Sequence, residues 1–400
     1  MDYLDYRSQC RTYSLAVSTS TAGSSSAKAT RPLYGSSSLA PFPTDLKLCL
    51  GSYMESTSEN NITVIGLNPQ LVYDPDSYAY NNNVDSSDFV PLAKAKTPYP
   101  VTKVDFSPVS LASKLQASTA AGSETREMIA TTSDCLRLWN MVGPQEVGSS
   151  YVGRQSPRSH TLVERSSLSN AKADYTAPLT SFCWSAIDPS SIVTSSIDTT
   201  CTIWDISTNQ AVTQLISHDR EVFDVAWSPG SKDVFASVGA DGSVRSFDLR
   251  HLDHSTILFE SSSNSGRTRG SPLLRLAFNP NDANSVAVIH ADCPFITLLD
   301  VRSPGIAVAE LKSHRAAVNG IAWLGGDDEN SMLASVSDDA QVLLWDLAHP
   351  NAYGERLPRQ VNLPNAAYTA PSEINAVAWG CGREYLALGM GSGTMRCVKV

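Results

Sequence analysis

The sequence predicts an all-β fold, a seven-bladed β-propeller, on three observations. Short runs of alternating apolar and polar residues recur along the chain, and residues 222–227 are a clear example. Gly, Asp and Pro turns separate these runs. Between residues 195 and 260 two such units follow one another, and their aromatic residues Trp204 and Phe247 lie 43 positions apart. Short strands that repeat at this period are typical of four-stranded propeller blades.

Aromatic residues that end the first strand of each regular unit give the number of blades. Trp184, Trp227, Phe278, Trp323 and Trp379 follow one another at intervals of 43, 51, 45 and 56 residues, which gives five regular units. Earlier in the chain come a weak unit that includes residues 46–67 and a clearer one at 101–139. A chain of 400 residues can form more than one domain. The continuous repeat instead predicts a single propeller domain over residues 1–400.

The last unit, residues 374–400, provides only three strands. An open sheet edge would remain unless another segment covered it. We expect residues 2–7 to supply the fourth strand, so that the ring closes through a non-covalent latch between the two ends of the chain.

Four low-complexity inserts interrupt the repeats, at about residues 18–40, 111–127, 143–173 and 260–271. The first is dominated by Ser, Thr, Ala and Gly, which bury too little apolar surface to offset the entropy of ordering. We expect disordered inserts, with one outer strand hidden in the third.

Composition limits the function classes. The formal net charge of −10 opposes binding to a phosphate backbone, so no direct nucleic-acid contact is expected. The sequence contains neither a long apolar run nor a secretory signal, which predicts a protein of the cytoplasm and nucleus without membrane contact. We expect the propeller to be monomeric. Its eight cysteines are scattered and form no Cys-x-x-Cys pair, so disulfides and zinc are not expected. The glycine-rich run 389–393 precedes no helix and predicts a hairpin turn, so no cofactor is expected.

Two sets of His, Ser and Asp residues invite comparison with a hydrolase triad. The first comprises His218, Ser237 and Asp241, and the same order of residue types recurs 96 to 98 residues later. A catalytic site is needed once, whereas a structural device can recur in every blade, so we interpret both sets as fasteners and rank an enzyme last. In each set we expect the His, Ser and Asp side chains to point toward an aromatic residue of the third strand, in a chain of hydrogen bonds that ties the loop to the sheet. The predicted structural tetrads are His218, Ser237, Asp241 and Phe247, and His314, Ser335, Asp339 and Trp345.

The repeat endings Trp204-Asp205 and Trp345-Asp346, together with the His-containing loops, resemble WD40 repeats. A closer resemblance is to the family of the plant TRANSPARENT TESTA GLABRA regulator and the animal cullin-associated WD-repeat factor 68. The segments that carry it are SSIDTTCTIW (195–204), HDREVFDVAWS (218–228), FASVGADGSVRSFDLRHLDHSTI (235–257), PLLRLAFN (272–279) and HRAAVNGIAW (314–323).

This resemblance implies a non-enzymatic seven-bladed scaffold that assembles protein kinases of the DYRK type, transcription regulators, or both. The alternative that it implies is a substrate receptor of a cullin-RING ubiquitin ligase. In such receptors the arginine of a Trp-Asp-x-Arg motif contacts the ligase adaptor, which points to Arg250 and Arg302. Here Phe247 and Leu299 stand where that motif has tryptophan.

Loops carry the function on a rigid propeller, so partner-binding residues are expected in the loops of the best-defined repeats. The candidates are Asp219, Arg220, Phe223, Arg315 and Asn319. For the two arginines, simple solvation is the alternative interpretation.

Overall fold

A computed structural model describes residues 3–8, 11–18, 46–54, 60–68, 87–108, 127–143, 160–169, 177–261, 270–325, 331–347, 359–380 and 384–400. Within these ranges the chain forms 29 β-strands and no helix. The strands make seven sheets, which confirms the predicted all-β propeller of seven blades.

The strands follow one another regularly, four to a blade. The first half of the chain forms β1 (Tyr3–Arg7), β2 (Thr12–Val17), β3 (Lys47–Ser52), β4 (Asn61–Leu67), β5 (Phe89–Lys96), β6 (Lys103–Phe106), β7 (Glu127–Thr132), β8 (Leu136–Val142), β9 (Thr161–Leu168), β10 (Leu179–Trp184), β11 (Ser191–Ser196), β12 (Thr200–Asp205) and β13 (Gln210–Ile216). The second half forms β14 (Val222–Trp227), β15 (Val234–Gly239), β16 (Ser243–Asp248), β17 (Ser255–Glu260), β18 (Leu273–Asn279), β19 (Asp282–His290), β20 (Phe295–Asp300), β21 (Ala307–Lys312), β22 (Val318–Trp323), β23 (Met332–Ser337), β24 (Gln341–Asp346), β25 (Arg359–Val361), β26 (Ala366–Thr369), β27 (Ile374–Trp379), β28 (Tyr385–Met390) and β29 (Thr394–Lys399).

Each blade consists of strands that we letter a to d. Blades 1 to 4 are β2–β5, β6–β9, β10–β13 and β14–β17; blade 5 is β18–β21, blade 6 is β22, β23, β24 and β26, and blade 7 is β27, β28, β29 and β1. Strand a of one blade packs against strand a of the next, as β10 does against β14 and β14 against β18. The a strands therefore lie innermost in the ring, and the d strands lie outermost.

The core lies between neighbouring sheets. Between blades 3 and 4, for example, Val193 and Ile203 pack with Val225 and Phe235, and all four side chains are buried. Strand b contributes most to this core, because its apolar residues are covered by a sheet on both faces. Such burial explains why the b strands consist mainly of apolar residues and of small Ser and Thr residues.

Antiparallel pairing gives every blade two distinct ends. The connection from the preceding strand d and the turn between strands b and c lie at one end, which we call the histidine face because it carries His218 and His314. The turns between a and b and between c and d lie at the other end. We call this end the arginine face because it carries Arg250 and Arg302.

The N-terminal strand β1 occupies the position expected for the latch. It pairs antiparallel with β29, from Tyr3 opposite Val398 to Arg7 opposite Thr394. The Arg396 guanidinium of β29 donates two hydrogen bonds of 2.6 Å to the Asp5 carboxylate and a third, of 2.8 Å, to the Tyr368 hydroxyl in blade 6. It also lies 3.9 Å from the centre of the Tyr3 ring. One arginine therefore holds the latch and joins it to the neighbouring blade.

Blade 1 is complete, although the sequence shows it only weakly. Its outer strand β5, FVPLAKAK, contains Pro91 and two lysines and so departs from a typical strand pattern. A proline is tolerated there because an outermost strand has one unpaired edge, and lysines discourage further pairing at that edge. Pro91 and the lysines therefore make the strand hard to recognise in the sequence and also protect its free edge from pairing with other chains.

Two further strands have no clear sequence signal. The three-residue β25 adds to blade 5 by pairing parallel with β21, and β26 then completes blade 6 with only four residues. Of the predicted inserts, the third contains β9, the hidden outer strand that was expected. Residues 19–40, 111–126, 144–159, 170–173 and 262–269 of the inserts lie outside the described residues.

We predict that Asp5→Asn lowers the melting temperature. The substitution removes the charge of the carboxylate that accepts two hydrogen bonds from Arg396, which is worth about 1–2 kcal/mol for a partly buried pair. Thermal unfolding followed by circular dichroism measures the change. Asp253→Asn, in an exposed turn of blade 4, serves as the matched control. Equal melting temperatures for the two variants would contradict the role of the latch.

Candidate functional site

Blade 6 contains a complete chain of four hydrogen-bonded side chains. The Trp345 indole N–H donates to Ser335 Oγ at 3.0 Å, and Ser335 Oγ lies 2.8 Å from Nε2 of His314. Nδ1 of the same histidine lies 3.1 Å from Asp339 Oδ2. The chain joins the loop before strand a, the end of strand b, the turn between b and c, and strand c. The structure thus brings together the four residues of the second predicted tetrad.

Blade 4 repeats this arrangement only in part. His218 Nε2 lies 2.8 Å from Ser237 Oγ, and His218 Nδ1 lies 3.0 Å from both oxygens of Asp241. Phe247 has no donor group, and its ring stacks on Phe235 at 5.0 Å between ring centres. The predicted tetrad is therefore wrong in its fourth member, because the hydrogen-bond chain ends at the serine.

The two sets also differ in spacing. Ser237 and Asp241 follow His218 by 19 and 23 residues, whereas Ser335 and Asp339 follow His314 by 21 and 25. The same contacts form in spite of this difference, since two extra residues are accommodated between strands a and b.

The distances within these sets resemble those of a Ser-His-Asp triad, but the side chains are not accessible to a substrate. Ser237 and Ser335 are both 0% exposed, and their histidines are buried as well. A nucleophile must reach its substrate, and these hydroxyls are enclosed between sheets. These hydrogen bonds instead hold the loops against the strands.

Protonation states agree with a structural role. Burial opposes ionisation of Asp241, but the hydrogen bonds from His218 and Ser243 outweigh it and lower the pKa of this carboxyl. At Asp339 burial is likewise outweighed by bonds from the Arg315 and Gln341 amides and from His314, so its pKa is also lowered. Both carboxylates are charged at neutral pH and can accept the bonds that fix the loops.

Other blades use shorter versions of the same device. The indole N–H of Trp139 donates to Thr131 Oγ1 in blade 2, and that of Trp204 donates to Thr194 Oγ1 in blade 3, both at 2.9 Å. In blade 5 the buried His290 lies 2.9 Å from Thr297 Oγ1. Burial lowers the pKa of His290 to about 4, so this histidine is neutral at pH 7.

Asn319 joins two blades. Its amide donates to the Ile374 carbonyl at the start of strand a in blade 7, at 3.0 Å, and to Asp338 Oδ1 at 2.6 Å. Thr180 and Thr102 make equivalent bonds to the Val222 and Leu179 carbonyls of the next blades. Its position in this series shows that the Asn319 side chain serves ring assembly. No local pattern around Asn319 indicates this function, because the acceptor lies 55 residues away in the chain.

Asp224 in strand a of blade 4 was not identified from the sequence, yet it contacts three other blades. Its carboxylate accepts from the Ser181 hydroxyl at 2.5 Å and from the Leu276 amide at 3.2 Å, and it lies 3.5 Å from Lys103 Nζ. Only 3% of the residue is exposed. An aspartate inside an otherwise apolar strand, in VFDVAW, was the available signal.

Four partner candidates lie on the histidine face. Asp219 pairs with Arg245 at 2.8 Å, and the exposed Arg220 is 3.9 Å from Glu221. The side chain of Arg315 is exposed, while its amide donates to Asp339 Oδ2 at 2.9 Å. Phe223 is half-buried at a β-bulge of strand a. These residues lie on blades 4 and 6 and do not form one cluster.

Arg250 and Arg302 lie on adjacent blades of the arginine face in the same conformation. Each backbone amide donates to the aspartate two residues earlier, at 3.0 Å to Asp248 and 2.9 Å to Asp300. Each guanidinium then bonds both oxygens of that carboxylate. The hydrogen bond from Arg250 lowers the pKa of Asp248 to about 2. Both arginine side chains are largely exposed, at 63% and 55%.

The described residues contain no group of three or more His, Cys, Asp or Glu side chains arranged to hold a metal ion. Within the same ranges, no helix is long and apolar enough to cross a membrane.

Comparison with known proteins gives consistent results. The pattern of the family "WD domain, G-beta repeat" matches residues 209–248 and 305–346. The chain is 38% identical over 361 residues to the DDB1- and CUL4-associated factor 7 homolog of Dictyostelium discoideum, an alignment that covers 90% of this chain and 94% of that protein.

Two yeast proteins are also similar. The chain is 41% identical over 278 residues to an uncharacterized WD repeat-containing protein of Schizosaccharomyces pombe, which covers 66% of this chain. It is 36% identical over 351 residues to a WD repeat-containing protein of Saccharomyces cerevisiae, which covers 82% of this chain. It spans 59% of the length of each of these two proteins.

We predict that Asp339→Ala lowers the free energy of unfolding by about 2–4 kcal/mol, because it leaves two backbone amides and a buried histidine without their acceptor. Trp345→Phe removes only the indole bond and should cost about 1 kcal/mol beyond any loss of packing. Denaturant titration measures both changes, with Asp253→Ala as the exposed control. A loss for Asp339→Ala no larger than that for Trp345→Phe would contradict the role of the aspartate in holding the two amides and the histidine.

We also predict that stability falls as the pH is lowered from 7 to 5, in part through His290. The folded pKa of about 4 lies below the unfolded value of about 6.5, so the unfolded chain takes up the proton first. The contribution of His290 is complete above pH 6.5 and decreases below it, by about 2 kcal/mol at pH 5. His290→Gln should reduce the slope of stability against pH, whereas His251→Gln, on the surface, should not. An unchanged slope in His290→Gln would contradict the prediction.

Proposed function

Because the chain belongs to the WD40-repeat family of the DDB1- and CUL4-associated factor 7 homolog, we propose that it is a non-enzymatic platform for protein interaction. The observation that carries this proposal is the burial of the His218, Ser237, His314 and Ser335 side chains, which could otherwise act as catalysts. They stabilise the blades, and both faces of the ring remain available to partners.

The histidine face is the proposed site for kinases of the DYRK type and for transcription regulators, as the family resemblance implies. Loops between strands d and a lie there, and those that lead into blades 4 and 6 are held by a histidine and a backbone amide that bond an aspartate of the neighbouring turn. Asp219, Arg220 and Arg315 are exposed on these loops. Loops held in one conformation lose less entropy on binding, which favours recognition.

A second function, association with a DDB1–CUL4 ubiquitin ligase, is favoured by the geometry of the arginine face. The Arg250 and Arg302 side chains are held by their own aspartates before any partner binds. This preorganisation reduces the entropy cost of ordering two long side chains at an interface.

Exposed apolar side chains lie on the same face of blades 3 to 5. Ile187, Leu252 and Ile306 are 49%, 47% and 54% exposed in turns of this face. Protein interfaces commonly combine apolar contacts with arginine. The name of the Dictyostelium relative refers to DDB1 and CUL4, and this surface is where we place the corresponding contact.

A pair of double variants tests the two proposals together. Arg250→Ala with Arg302→Ala should reduce recovery of purified DDB1 by at least about tenfold, since arginines at the centre of an interface are common hot spots. Arg220→Ala with Arg315→Ala changes two exposed arginines of the opposite face and should leave DDB1 binding intact while weakening a DYRK-type kinase.

Quantitative pull-down with each purified partner provides the measurement. Failure of the wild-type protein to bind DDB1 would remove the second function without affecting the first. Kinase binding that is unaffected by Arg220→Ala with Arg315→Ala would remove the proposed location of the kinase site. Failure of the wild-type protein to bind the kinase would contradict a kinase platform.

A further inference from the structure

Blade 5 has a fifth strand that belongs to another part of the chain. β25 follows strand c of blade 6 in the sequence, yet it pairs with β21, the outer strand of blade 5. The pairing is parallel, whereas the three strand pairs within blade 5 are antiparallel. A hairpin turn after β21 would give an antiparallel neighbour, so β25 is a separate segment that is added to a complete four-stranded blade.

Few contacts hold β25 in place. It pairs through three residues, from Ala309 opposite Arg359 to Leu311 opposite Val361. Val361 is half-buried and packs against the hydrophobic core between blades 5 and 6, whereas Gln360 is exposed. A short parallel strand with one partly buried apolar side chain belongs to the least stable elements of a fold, which can detach while the rest stays folded.

β25 covers only half of the outer edge of β21. The strand β21 has six residues, and no described strand pairs with Ala307 or Val308 on this edge. The sequence explains why β25 does not continue in that direction, because Pro358 directly precedes it. Proline has no N–H to donate to a ladder and is tolerated mainly at strand ends and edges. A segment without proline at this position can pair with the whole of β21.

The charges of β21 do not select a charged partner. Glu310 and Lys312 are two residues apart and so lie on the same face of the strand, where they pair with each other at 2.6 Å. The other four residues of β21 are apolar. The site therefore depends on backbone pairing and on an apolar residue in the position of Val361, and not on charge.

We propose that the outer edge of β21 is a binding site for an extended, proline-free segment of a partner protein, and that β25 occupies this site in cis. A partner strand of six residues pairs with all of β21, so it forms backbone hydrogen bonds that β25 lacks, while an apolar side chain takes the place of Val361. β25 is tethered beside the site and competes at a high effective concentration, so it excludes segments that pair no further than it does. This inference rests on the proposed role as an interaction platform and names the chemistry of one partner segment.

The probe, which we call the valine peptide, is a fluorescent peptide with the sequence of residues 357–363 and Pro358→Val. Fluorescence anisotropy should show that it binds the wild-type protein at least about tenfold more tightly than the peptide of native sequence, because valine allows the strand to continue along Ala307 and Val308. The valine peptide with Val361→Asp should not bind, since it would place a charge against the core. Binding should change little with salt, because no ion pair is formed.

Two pairs of glycine substitutions test the occupancy in cis. Gln360→Gly with Val361→Gly removes the apolar contact of β25 and weakens the strand, so the valine peptide should bind this variant at least about tenfold more tightly than wild type. Asn362→Gly with Leu363→Gly changes two exposed residues directly after β25 and should leave peptide binding as it is in wild type. Circular dichroism and gel filtration verify that both variants remain folded and keep the same size.

A third variant should change binding in the opposite direction. Pro358→Val in the protein removes the residue that stops β25, so the strand in cis should lengthen and weaken binding of the valine peptide by about tenfold. The variant adds pairing to the fold and removes none, so unfolding does not confuse its result.

Three results would overturn the proposal: no binding of the valine peptide to the folded variant with Gln360→Gly and Val361→Gly, equal effects of the two glycine pairs, or unchanged binding after Pro358→Val in the protein. β25 would then only protect a free edge. Binding of purified DDB1 and of the kinase by the wild-type protein is measured in parallel. If those partners bind while the peptide does not, the platform function stands and the site on blade 5 is wrong. If the peptide binds while neither partner does, the site stands and the proposed partners are wrong.

Discussion

Closure of the ring is the constraint on which the rest of the structure depends. Seven sheets that pack in a circle leave no free face only if the first blade also contacts the seventh, and here β2 packs against β27. Strand a of successive blades is joined by side chains that bond the backbone carbonyl next in the circle, as Thr102, Thr180 and Asn319 do. Covering the last edge then falls to β1, which is held by Arg396. Together these contacts join seven similar blades into one closed ring.

The hydrogen bonds within a blade and those between blades differ in how their residues are spaced in the sequence. Within a blade, the His-Ser or Trp-Thr contacts link a loop or an inner strand to its own sheet, so their residues recur at similar spacing. Between blades, the donor and acceptor come from separate repeats and need only meet in space. Asp224 shows this clearly, since its partners belong to blades 2, 3 and 5.

This difference explains how much could be predicted from the sequence. The number of blades, the latch and the His-Ser-Asp contacts can be predicted because they depend on residues that alternate along a strand or recur once per blade. Burial of every second residue in a strand and the tight turns between strands both leave such local patterns in the sequence. Strand β5 was missed because Pro91 and its lysines are suited to an edge. Asn319 is predicted to lie in a partner-binding loop, but it lies in β22, and its bond to Ile374 of the next blade leaves no local pattern in the sequence. Phe247 was given a hydrogen-bonding role by analogy with Trp345, although a phenyl ring can only stack.

The latch has a consequence for how the chain acquires its fold during synthesis. Asp5 and Arg396 are 391 positions apart, so β1 can pair with β29 only after all the strands between them have been made. Until then the growing protein is an open arc, and contacts between distant positions form slowly. The exposed edges of that arc are pairing surfaces for other chains. The rate at which β1 pairs with β29 therefore determines how long each new molecule is prone to aggregation.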